Sequence, residues 1–83
     1  MRTQMTETHI TTWLVDYLAR ALHRDPASIG LDATFDELGL DSVLAVTMTD
    51  DAGTWLGAPL DPTSPYQHVT IREFSRYMLA SKT

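Results

Sequence analysis

Apolar and polar positions along the chain alternate in three helical stretches separated by two loops. Ile10, Trp13, Leu14, Tyr17, Leu18, Ala21 and Leu22 step by three and four, so they share one face of an α-helix. Thr11, Thr12, Asp16 and Arg20 fall between them on the wet face. His23 and Arg24 put positive charge at the end, where the helix dipole favours it. Asp25-Pro26 then stops the helix, because the residue before a proline resists helical geometry. The pattern predicts a first helix over about residues 7–24.

A long connection follows, roughly 25–41, with Pro26, Gly30 and Gly39 and with Ile29, Leu31, Phe35, Leu38 and Leu40 spaced along it. Those apolar residues predict a loop that lies down on the rest of the fold. The second helix is expected from Ser42 to about Leu56, with Leu44, Met48, Ala52 and Trp55 or Leu56 buried and Val43, Val46 and Asp50 on another face. Gly57 fits the position just past its end. Pro59, Pro62 and Pro65 punctuate the next segment, which has room for one short helix around Pro65–His68 with Pro65 at its first position. Thr70-Ile71-Arg72-Glu73 reads as a capping box. Val69 and Phe74 are placed to staple it, and Ile71, Phe74, Met78 and Leu79 point inward on a last helix that ends near Ser81. No alternating strand pattern and no internal repeat interrupts this. The expectation is an all-α, small antiparallel four-helix bundle of three main helices and one short one. It forms a single domain over residues 1–83 with its core at about 7–81.

Charge and composition narrow the function. Lys and Arg number 6 against 11 Asp and Glu, a formal charge of -5, which argues against a nucleic-acid surface and for partners with basic faces. There is no cysteine, so disulfides, thiolate metal sites and a protein thiol nucleophile are excluded. No apolar run approaches a membrane span, and the stretch from Met1 to Glu7 lacks the apolar core of a signal peptide, so a cytoplasmic monomer is expected. His9, His23 and His68 have no metal-ligand spacing, and no metal site is expected. Trp13, Tyr17 and Trp55 lie at core spacing and are expected to pack.

Chemistry concentrates in Asp36-Glu37-Leu38-Gly39-Leu40-Asp41-Ser42-Val43. Gly39 permits a tight backbone path, and Asp41-Ser42 opens a helix. A serine there is exposed among backbone N–H groups without helical partners, and a phosphate on its oxygen would sit where negative charge is favoured. An ordinary N-cap uses the same residue in the same place, so the residues alone leave attachment and capping both open.

Leu38-Gly39-Leu40-Asp41-Ser42-Val43 resembles the attachment motif of acyl carrier proteins. Phe35-Asp36-Glu37-Leu38, Trp55-Leu56-Gly57, Leu60-Asp61-Pro62-Thr63 and Thr70-Ile71 are similar to carrier domains of polyketide synthases, and the likeness covers roughly residues 10–80. It departs at Val69, where such carriers often have proline, and at Gly53 inside the second helix, which costs on the order of 1 kcal/mol against alanine. The second helix is also less acidic than in fatty-acid carriers. The resemblance implies a non-catalytic carrier. A phosphopantetheinyl transferase would use coenzyme A and Mg²⁺ to place 4'-phosphopantetheine on Ser42, beside Asp41. The thiol of that arm would then bear acyl groups as thioesters for a ketosynthase, an acyltransferase or an acyl-adenylating ligase. It also implies that Glu37, Val43, Val46, Asp50 and Asp51 are candidates for partner recognition. A peptidyl carrier of a nonribosomal peptide synthetase ranks lower, because such carriers usually show Gly-Gly-x-Ser where Asp41 precedes Ser42 here. A cofactor-free helical docking module is the reading from a different class. A small enzyme is disfavoured by size and by the lack of a nucleophile–base pair.

Overall fold

The computed structural model describes residues 5–82; residues 1–4, part of the N-terminal stretch considered above, and residue 83 lie outside it. The helices are α1 (Glu7–Leu22), α2 (Phe35–Leu38), α3 (Ser42–Leu56), α4 (Ser64–Gln67) and α5 (Ile71–Lys82), with a 3-10 turn at Pro26–Ser28. Among the described residues there is no β-strand, only an isolated backbone bridge between Thr34 and Thr70. None of the described helices is long and apolar enough to cross a membrane.

The first helix begins on a reciprocal cap. Thr6 Oγ1 accepts from His9 N at 3.2 Å, and Thr6 N donates to His9 Nδ1 at 3.4 Å. It ends at Leu22, earlier than its charge pattern suggests, because His23 turns left-handed at φ 55 and the N–H groups of His23 and Arg24 fold back on the carbonyls of Arg20 and Ala19. Arg24 leaves the helix altogether and donates to the carbonyls of Ser28 and Leu38.

Ile10, Leu14 and Leu18 of α1 meet Met48, Ala52 and Leu56 of α3 and Ile71, Phe74 and Met78 of α5 in one core, closed by Ile29, Phe35 and Leu38 from the long connection. Trp13 stacks on Trp55 while Tyr17 bonds Asp51, so α1 and α3 run antiparallel. The buried stripe of α3 is Ala45, Met48, Thr49, Ala52 and Leu56; it keeps the expected Met48 and Ala52, resolves the choice between Trp55 and Leu56 in favour of Leu56 with Trp55 37% exposed, and differs in Leu44, which is half-buried. Thr49 can join the stripe because its hydroxyl donates to Ala45 O, which satisfies the polar atom inside the helix. On α1, Ala21 is exposed, and Trp13 and Tyr17 are half-buried on the core's rim. Gly53 has a steric reason: a Cβ there would meet the carbonyl of Ala58 at 3.0 Å, where the chain doubles back past the end of α3.

The connection over residues 25–41 is pinned to the start of α5. Phe35 N donates to Val69 O at 2.8 Å, Arg72 N donates to Leu31 O at 3.1 Å, and the Arg72 guanidinium grips Asp32 at 2.7 Å. The guanidinium holds the Asp32 carboxyl below the usual carboxylate range. This seam fixes the approach to α3.

Candidate functional site

The segment before α3 is built from two caps in series. Thr34 Oγ1 accepts from Glu37 N at 3.0 Å and Glu37 Oε1 accepts from Thr34 N at 2.8 Å, which makes a one-turn helix of Phe35–Leu38 within the expected loop. The Thr34 backbone N–H foremost, and the Thr34 hydroxyl after it, hold the Glu37 carboxyl below its ordinary value. Gly39 closes that turn at φ 99, a conformation glycine adopts without cost. Leu40 N reaches back to Phe35 O at 3.0 Å, and the chain emerges extended at Asp41.

Asp41 then caps α3: its Oδ1 accepts from Leu44 N at 2.7 Å. Ser42 is therefore the first residue inside the helix and is not needed as the cap. It is exposed, and its hydroxyl has no hydrogen-bond partner among the described residues. No carboxylate or imidazole among them forms a hydrogen bond with it. The chain offers this oxygen, in water, at the positive end of a helix, where an attached phosphate is electrostatically welcome.

The remaining candidates divide by their position around α3. Val43, 73% exposed, and Val46, 46% exposed, fall with Asp50 on the outward strip. Thr47 lies on the same strip with its hydroxyl donating to Val43 O. Asp51 sits round the helix on the α1 side, exposed, and accepts a 2.6 Å bond from the Tyr17 hydroxyl. Burial first, and that bond second, push the Tyr17 hydroxyl up to about 12. Glu37 is exposed on α2, with its carboxylate engaged in the cap.

The spacing of residues along the chain does not predict the concavity that lies beside Ser42. A groove of about 350 Å³ is lined by Thr34, Phe35, Asp36, Leu40, Asp41, Ser42, Ala45, Pro65, Tyr66 and Val69. Val69, expected to staple onto Phe74, is 38% exposed and lines this groove. The Thr70 cap itself is present, with its Oγ1 accepting from Glu73 N at 3.1 Å. The short helix α4 begins one residue before Pro65 and forms the far wall through Pro65 and Tyr66.

Comparison with known proteins fits this geometry. The family model described as the phosphopantetheine attachment site matches residues 12–78. The acyl carrier protein TtuC of Teredinibacter turnerae is 28% identical over 92% of this chain and 87% of its own length. A phenolphthiocerol/phthiocerol polyketide synthase chain of Mycobacterium tuberculosis is 28% identical over 89% of this chain, which spans only 4% of that synthase chain. Among solved structures, the HMG-ACPI domain of the CurA module from Lyngbya majuscula superposes with a TM-score of 0.82 at 30% identity, covering 96% of this chain and 84% of that one. A free-standing peptidyl carrier protein from Acinetobacter baumannii superposes with a TM-score of 0.86 over 93% of this chain and 96% of its own, at 22% identity, which shows a shared fold. With the attachment-site model covering most of the chain, from within α1 to within α5, this protein belongs to the phosphopantetheine-binding carrier family, whose members hold their cargo on a phosphopantetheine arm.

Proposed function

We propose that this chain is a cytoplasmic, monomeric acyl carrier domain that performs no catalysis, with 4'-phosphopantetheine attached to the Ser42 hydroxyl. The observation that carries the assignment is the division of labour at the start of α3: Asp41 does the capping, which leaves the Ser42 oxygen exposed and unpaired. The arm supplies the thiol that a chain without cysteine lacks, and acyl groups ride on it as thioesters. The residues of the chain hold and orient. Asp41 fixes the first turn, and Gly39 sets the backbone path into it.

Val43, Val46 and Asp50, with Glu37 and Asp51 at the flanks, form the face that partner enzymes read. Those partners are a phosphopantetheinyl transferase, then a ketosynthase and an acyltransferase or acyl-adenylating ligase of a polyketide-type synthase. The acidic balance of 11 Asp and Glu against 6 Lys and Arg favours basic faces on them. The Asp41-Ser42 pair supports an acyl over a peptidyl carrier.

The test is intact-mass spectrometry after incubation with a phosphopantetheinyl transferase, coenzyme A and Mg²⁺. One added phosphopantetheine is expected, mapped to the peptide containing Ser42. No added mass with several transferases would overturn the assignment in favour of a cofactor-free docking module.

A further inference from the structure

We infer that Arg24 is a positioning residue for attachment of the arm: it braces the turn that delivers Ser42 without belonging to the face that partner enzymes read. The inference rests on the attachment reading above and deepens it, from the residue that accepts the arm to one that sets where that residue stands.

Arg24 comes to this role through the backbone before it. Among the described residues His23 is the one non-glycine residue with a positive φ, at 55°. A side chain with a Cβ disfavours that conformation. The turn it makes sends Arg24 N back to Ala19 O at 2.9 Å, while the Arg24 side chain leaves α1 for the connection.

The guanidinium then spans both ends of the connection. Nη2 donates to Ser28 O at 3.2 Å, at the end of the 3-10 turn, and Nη1 donates to Leu38 O at 3.4 Å, at the end of α2. A carbonyl at a helix end has no partner within its own helix, and a planar fork of N–H groups can serve two such acceptors at once. Only Gly39, Leu40 and Asp41 separate the Leu38 carbonyl from Ser42. On its other side the same connection is tied to the start of α5, by Phe35 N to Val69 O and by Arg72 to Asp32. Without Arg24 the left-handed turn at Gly39 keeps its bonds to α2 and the seam to α5, and loses its hydrogen-bonded brace on the α1 side. The Arg24 guanidinium bonds none of Glu37, Val43, Val46, Asp50 and Asp51, so its loss leaves the partner-facing residues in place and shifts the serine relative to them.

In the transfer, the Ser42 oxygen gives up its proton and bonds to the phosphorus that carries the pantetheine arm in coenzyme A, and adenosine 3',5'-bisphosphate leaves. The test measures kcat and KM of a phosphopantetheinyl transferase with this protein as the varied substrate. The unaltered chain, Arg24→Ala, Arg24→Lys and Arg20→Ala are compared, each also followed by thermal melting. Arg24→Ala is expected to remain folded and to lower kcat at least about 10-fold with KM within about twofold, because a misplaced reacting group slows the chemical step and leaves docking alone. Arg24→Lys, a compact point charge without the fork, is expected to recover part of the loss. Arg20→Ala removes the same charge from the last turn of α1 and is expected to leave both constants unchanged. An unchanged kcat in Arg24→Ala, a loss carried by KM, an equal loss in Arg20→Ala, or unfolding of Arg24→Ala at the assay temperature would overturn the positioning role while leaving attachment at Ser42 intact. Failure of the unaltered chain to take any arm on Ser42 would overturn the attachment reading and this inference together.

Discussion

Ser42 and Ser75 both carry hydroxyls without a hydrogen bond, in opposite surroundings. Ser42 opens α3 in water, next to a groove and a residue that does its capping for it. Ser75 lies in the middle of α5, fully buried, with its Oγ unpartnered. An exposed hydroxyl keeps its water and costs nothing to leave unpaired, whereas a buried one forfeits its hydration and gains nothing back. The α5 region is therefore where packing dominates, beside the fully buried Phe74 and Met78. The α3 start is where the fold spends caps and a left-handed glycine to present one oxygen. Exposed apolar side chains near Ser42, such as Val43, should be dispensable for folding, and the buried apolar ones beside Ser75 should not.

The largest test of that contrast pairs Phe74→Ala with Val43→Ala. Phe74→Ala should lose about 3–5 kcal/mol, because it empties a fully buried ring position. Val43→Ala should stay within about 0.5 kcal/mol, because Val43 is 73% exposed. Denaturant titration measures both, and equal losses would erase the distinction.

Asp41→Ala tests whether the α3 start contributes through its cap. It should cost about 1 kcal/mol by the same titration, and transfer of phosphopantetheine should slow as the first turn frays. Ser75→Ala should go the other way and stabilise the protein by about 1 kcal/mol, since it removes a buried polar atom with no partner. A loss in place of a gain would mean that the Ser75 hydroxyl has a partner.

The smallest effect concerns the tie between α1 and α3. The Tyr17 hydroxyl is raised from 10.0 to about 12, by burial first and the Asp51 bond second. A group with a raised folded pKa contributes stability that is fully present below its unfolded value and lost as pH rises through its folded value. Stability should thus decline between pH 10 and about 12, and less so in Tyr17→Phe, as followed by circular dichroism. The depressed carboxyls of Asp32, Glu37 and Asp61 act in the acid range, where their contributions fade as pH falls below about 4.

Much of this was legible in the sequence. Asp41-Ser42 and Gly57 mark both ends of α3, and the three-four spacing of Ile10, Leu14 and Leu18 and of Ile71, Phe74 and Met78 gives two of the core faces. Spacing could not say how wide a stripe the neighbours would cover, so Leu44 and Ala21 read as inward-facing, yet Leu44 is half-buried and Ala21 exposed. Phe35–Leu38 is too short for any period to register, although the Thr34-x-x-Glu37 cap followed by Gly39 was a usable signal. Gly53 could be read only as a cost, because its reason lies in the backbone of Ala58. The groove was out of reach for the same kind of reason: residues 34–45 and 65–69 are distant in the chain and are brought together by tertiary contacts such as the bond from Phe35 N to Val69 O.

The most direct measurement is made on Ser42→Ala, followed at once by thermal melting and by intact mass after transferase treatment. The expected result is a melting temperature within about 4 °C of the unaltered protein, as suits a surface change worth no more than about 0.5 kcal/mol, and complete loss of the added arm. A variant that still acquires phosphopantetheine, or one that unfolds because that oxygen was holding the helix, would contradict it.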